Sequence, residues 1–140
     1  MQGGASQSSV IGADLRLPAA SAALINGTLG HSLDFDDTHP ESIIHPSSFL
    51  AATALAVAEE RGADGAQALV GFVAGMECVV RIGMAAPGGL HARGFHATAA
   101  CGALGAAIVA GKIMGLTQHQ LVNAVGIAGS MGSGIFEYVN

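Results

Sequence analysis

The stretch HSLDFDDTHPESIIHP, His31 to Pro46, sets three aspartates and three histidines in a chain that is 51% hydrophobic and 11% charged. Burying charge is costly unless it is paired, hydrogen-bonded or used. So dense a group of ionisable side chains in so apolar a chain marks the first place to look for chemistry. The stretch also divides the fold. Before it, Pro18 suits a first helical turn, and Ala22, Leu24, Ile25, Leu29 and Leu33 give a helical face that predicts a helix to about Asp36. Gly27 and Gly30 weaken that helix by roughly 1 kcal/mol each relative to Ala, which close packing against a neighbour would offset. Thr38 to Pro46 reads as a loop bracketed by Pro40 and Pro46.

Beyond the loop, Ser47 or Ser48 is the expected cap of a second helix running to about Arg61, with Gly62 as its stop. Asp64 is the expected cap of a third, Gly65 to about Ala86, whose Leu69, Phe72, Val73, Met76, Val79, Val80 and Ile82 fall at helical spacing. Glu77 and Arg81 stand at i,i+4 and should pair. Pro87-Gly88-Gly89 breaks the helix, and Leu90 to Phe95 forms a second loop. A fourth helix, about His96 to Met114, is apolar nearly all round and should be central. Thr117 to Gln120 fits a capping box that opens a fifth. No run alternates as a strand does, so the fold class is all-α, a Gly/Ala-rich helical bundle over residues 18–140. Residues 1–17, rich in Gly, Ser and Gln at their start, are expected to be poorly ordered.

Net charge is −5, and five basic residues are spread thinly. With no basic stripe, neither nucleic acid nor an anionic membrane surface is an expected partner. The longest uncharged apolar run, Ala97 to Gly111, falls short of the roughly 18–20 residues of a membrane span. No signal peptide is visible. Cys78 and Cys101 lack CxxC spacing and read as reduced structural thiols, which points to the cytoplasm. A chain this poor in charge is expected to be incomplete, with apolar faces that pack against missing partners or subunits.

If the first helix persists to Asp36, then His31, Asp34, Asp37 and Thr38 share one face and Asp36 points elsewhere. His39 and His45 fold over from the loop. A second ionisable group, His91 to His96, adds two imidazoles and Arg93, whose guanidinium can grip a carboxylate bidentately. Imidazoles beside carboxylates suit proton transfer near neutral pH. The same residues support plainer readings: a solvated helix end for the aspartates, loop tethering for Arg93, and hydrogen-bonded structural roles for His31 and His119. His31, Asp34, Asp37, His39 and His45 also offer enough N and O atoms for a divalent ion, as in a metal-dependent hydrolase, although their spacing matches no tight motif. A non-catalytic helical module that folds against a partner is a third reading.

Asn26-Gly27, HxLDFDDT from His31 to Thr38, His45-Pro46, Arg81-Ile82-Gly83 and RGFHxTA from Arg93 to Ala99 together resemble the MmgE/PrpD family, which includes 2-methylcitrate dehydratase and cis-aconitate decarboxylase. The resemblance runs from about Leu17 to Asn140. It implies a lyase or isomerase acting on a small di- or tricarboxylic acid without an iron–sulfur cluster, and no metal or other cofactor is expected. It implies a homodimer in which a large helical domain is joined to a smaller lid domain. Carried over by motif, the catalytic residues are Asp34, Thr38, His45 and His96, with one extra residue in the loop before His45. Arg93, Asp37 and His39 are expected to bind substrate. The family places a Lys-Arg-x-His-Pro-Gly segment just past the stretch matching Gly134 to Tyr138, so the chain reads as a partial helical domain, without its lid and with little activity alone.

Overall fold

The computed structural model describes residues 3–136. Five helices carry it: α1 (Ala19–His31), α2 (Pro46–Arg61), α3 (Gly65–Met84), α4 (Ala97–Ile113) and α5 (Gln118–Gly129). The fold is mainly helical, as the patterning predicts. Among the described residues the only sheet is a two-stranded antiparallel pair, β1 (Ser8–Ser9) with β2 (Arg16–Leu17). This pair lies in the segment expected to be poorly ordered. Ser8 is fully buried and its hydroxyl donates to the Ala56 carbonyl at 2.7 Å. The buried amide of Asn26 on α1 accepts from the Ile11 N–H at 2.9 Å and donates to the Ser9 carbonyl at 3.0 Å. A polar residue in an apolar helix thus satisfies the backbone of the N-terminal hairpin.

Helix α1 ends at His31, short of the expected Asp36. Asp34 takes a left-handed backbone, φ 52°, which a helix cannot continue. Three carboxylates in a last turn would also oppose the helix dipole. Helix α2 starts on Pro46 at its first position, and neither Ser47 nor Ser48 caps it. Instead Asp37 accepts from the Ser47 N–H at 3.1 Å and from the Ser47 hydroxyl at 2.8 Å. The other predicted boundaries hold. Gly62 closes α2 at φ 63°. Asp64 with Gln67, and Thr117 with Gln120, form capping boxes on α3 and α5. Such caps contribute about 1 kcal/mol each.

Helix α4 is central, packing against α2, α3 and α5. Its Ala97, Cys101, Val109 and Ile113 join Ile44, Leu50, Ala54, Val57 and Val79 in one core. The tight seam is between α3 and α4, where a Cβ at Gly75 would lie 2.4 Å from Val109 Cγ2. Gly27 and Gly30 do face α2, but a Cβ at either would meet it at an ordinary 3.6–3.8 Å. Helix α3, at 20 residues, is the one described helix long and apolar enough to cross a membrane. Its buried residues Gly71, Gly75, Val79 and Gly83 recur at i,i+4 along one stripe, and its Glu77 and Arg81 pair at 2.7 Å as predicted. Gly83 also seats the loop before α2: a Cβ there would come within 2.6 Å of Ser42 and 2.7 Å of Ile44.

Candidate functional site

Four pieces of chain converge at one end of the bundle. The last residue of α1 supplies His31, and the turn after it supplies Asp34, Asp36 and Thr38. His45 stands at the N-cap of α2 and His96 at the N-cap of α4. The backbone N–H of His45 donates to the hydroxyl of buried Thr98, in the first turn of α4, at 3.1 Å. That bond ties the two ionisable segments together across the core. A short 3-10 turn, His91–Arg93, adds His91. Residues 134–136 then run back beside 94–96: the His96 N–H donates to the Gly134 carbonyl at 3.1 Å, and the Phe136 N–H to the Gly94 carbonyl at 2.8 Å.

The imidazoles sit close together. The ring of His31 is 5.1 Å from that of His45 and 6.0 Å from that of His96, while Phe136 lies 4.7 Å from His91 and 5.0 Å from His96. These rings and Asp34 border a cavity of about 510 Å³. A second, more apolar cavity of about 560 Å³ lies beyond His31 and His96, over Phe49 and between α1 and α4.

Each imidazole has a distinct setting. His31 Nδ1 lies 2.9 and 3.0 Å from the two oxygens of Asp36. Burial alone would raise the Asp36 carboxyl. The hydrogen bond from His31, its own backbone N–H, the Ser48 hydroxyl and the charge of His31 outweigh burial and hold it below the usual carboxylate range. An ionised carboxylate only accepts, so His31 carries its proton on Nδ1. His96 is the reverse. The Ala99 N–H donates to its Nδ1 at 3.2 Å, which leaves the proton of the neutral ring on Nε2. Burial, and then the neighbouring His31, His91 and His45, lower the pKa of His96, with Asp34 opposing. His45 has the Thr38 hydroxyl 3.3 Å from Nδ1, Asp36 Oδ1 3.6 Å from Nδ1 and Asp34 Oδ1 3.7 Å from Nε2.

Of the residues singled out from sequence, Asp34, Thr38, His45 and His96 are brought together. The other three are not. Asp37, expected on the inward face, caps α2 instead, because α1 stops before that face exists. His39 is drawn back into its own loop: its Nδ1 lies 3.0 Å from the Ser42 hydroxyl and its Nε2 3.5 Å from Glu41. Arg93 is exposed, donates to the Gly89 carbonyl at 3.2 Å and does not border the cavity. Asp36, expected off the face, is the carboxylate that His31 meets. Phe136 was also missed, since its approach depends on a backbone pairing of residues 40 apart in the chain.

A helical domain whose imidazole–carboxylate cleft is built from HxLDFDDT, His-Pro and GFHxTA defines a class. The sequence model of the MmgE/PrpD N-terminal domain matches residues 1–140, and the chain belongs to that family. It is 38% identical to human cis-aconitate decarboxylase over 121 residues, 82% of this chain and 25% of that protein. It is 33% identical to the cis-aconitate decarboxylase-like protein oryM of Aspergillus oryzae over 135 residues, 91% and 28%. Against cis-aconitate decarboxylase of Aspergillus terreus the figures are 32% over 132 residues, 90% and 27%. The chain thus spans about a quarter of the length of these relatives.

Proposed function

We propose that this chain supplies the imidazole half of the active site of a lyase that acts on a small di- or tricarboxylic acid such as cis-aconitate or 2-methylcitrate. The observation that carries the proposal is the meeting of His31, His45 and His96 with Asp34 around one cavity, with Asp36 behind His31, from segments some fifty residues apart in sequence. The names of the relatives support the reaction class. Decarboxylation, dehydration and epimerisation of such acids all move a proton at a carbon near a carboxylate.

The tautomers divide the work. His96, neutral with its proton on Nε2, is a donor to a substrate oxygen and does not accept a proton at that atom. His45 moves the proton, with Thr38 beside its Nδ1 and Asp34 beside its Nε2. Asp36 fixes His31, whose ring backs both others. Exposed apolar residues on three helices, among them Leu24, Leu69, Val73, Val122 and Ile127, support burial against further parts of the enzyme and a homodimer. The free thiols Cys78 and Cys101, both raised by burial, support a reducing compartment such as the cytoplasm.

Isothermal titration tests the substrate class. Cis-aconitate should bind the purified chain, His96→Gln should weaken it at least tenfold, and the trimethyl ester should not bind. Absence of binding, or equal binding of acid and ester, contradicts the proposal. Turnover by the chain alone should be slight.

A further inference from the structure

We propose that His31, Asp34, Asp36 and His45 form a binding site for one zinc-class divalent cation, and that an ion held there blocks proton transfer rather than assisting it. Each residue offers one ligand atom, and the four atoms all lie within 4.8 Å of one another. Tetrahedral zinc holds N and O ligands at about 2.0–2.2 Å, which sets neighbouring ligand atoms about 3.3 Å apart. The observed contacts bracket that spacing. His31 Nδ1 to Asp36 is 2.9 Å, where a proton bridges the two; Asp36 lies 3.6 Å from His45 Nδ1 and Asp34 3.7 Å from His45 Nε2, and since one ion takes only one of these two nitrogens, one carboxylate closes on the other side of the ring.

The chemistry fits as well as the spacing. Two neutral imidazoles and two carboxylates form an N/O set suited to zinc or cobalt, and the carboxylates balance the charge of the ion. The Asp36 side chain is nine-tenths buried, so half of the set is already fixed, whereas that of Asp34 is 78% exposed on its turn and can close. A bound ion occupies a lone pair of His45 and replaces the proton between His31 and Asp36. Ion and proton transfer therefore compete for the same atoms. The ion site rests on the cluster alone, whereas the block on proton transfer rests on the proposed lyase reading, and a test without substrate keeps the two distinguishable.

The test uses chelator-treated chain and no substrate. Calorimetric titration with Zn²⁺ should show one ion per chain. Co²⁺ should give the visible absorption of a tetrahedral N/O site, without a thiolate charge-transfer band. His45→Gln and Asp36→Asn should each weaken Zn²⁺ at least tenfold, while His39→Gln leaves it unchanged. If circular dichroism finds Asp36→Asn unfolded, Asp34→Asn replaces it, since Asn tolerates a positive φ. Bound Zn²⁺ should also protect His45 from acylation by diethyl pyrocarbonate, read by mass spectrometry. Lack of saturation near one equivalent, indifference to these variants, a thiolate band or an unprotected His45 each overturns the proposal.

Discussion

The His45 backbone N–H and the Thr98 hydroxyl, 3.1 Å apart, join two loops that sequence alone leaves unconnected. Thr98 is buried and opens α4, so the position of His45 is fixed by the same helix that carries His96.

Thr98→Val keeps the shape and removes the acceptor. It leaves the His45 N–H without its partner, at a cost of about 1–3 kcal/mol. Thermal unfolding should show the loss, and Thr98→Ser should restore most of it.

Gly83→Ala adds a methyl within 2.6–2.7 Å of Ser42 and Ile44. Overpacking of this kind costs about 1–3 kcal/mol. The loop must shift, and His45 with it, so cis-aconitate binding should weaken along with stability. Asp37→Ala should separate the two effects. Losing a helix cap costs about 1 kcal/mol, yet binding should persist because Asp37 faces Ser47 and not the cavity. A loss of binding in Asp37→Ala at full fold would contradict that placement.

Acid should act through Asp36 and His96 in different windows. Asp36 has a depressed pKa in the fold, so its stabilisation is present above the unfolded carboxylate value, near 3.9, and is lost as pH falls through the folded one. The His96 pKa is also depressed. Its contribution is full above the unfolded value, near 6.5, and is lost as pH falls from there through the folded value. Denaturant melts across pH should show both steps. Asp36→Asn should remove the lower one and His96→Gln the upper.

Much of the fold is legible in the sequence because its signals are local. The capping boxes at Asp64 and Thr117, the Gly62 stop and the apolar girth of α4 each follow from a few adjacent residues. The site was only partly legible, for a reason that lies at Asp34. Its left-handed backbone ends α1 early and exchanges the roles of Asp36 and Asp37, and residue identity does not announce a positive φ at an aspartate. Phe136 reaches the imidazoles through the long-range pairing of Phe95 with Ile135, which no periodicity reveals. The small N-terminal pair was hidden likewise, since Ser8 and Asn26 read as ordinary polar residues until they meet.

The most direct test of the central reading is a ¹⁵N-edited NMR spectrum of the six histidine side chains during titration with cis-aconitate. The ring signals of His45 and His96 should shift together with a single dissociation constant, His31 following, while His39 and His119 stay fixed. His45→Gln should leave the His96 shift in place but abolish any proton exchange into the bound acid. Movement of His39 or His119 alone, or no movement at His45 and His96 at saturating acid, would contradict the assignment of this cleft to a carboxylic-acid lyase.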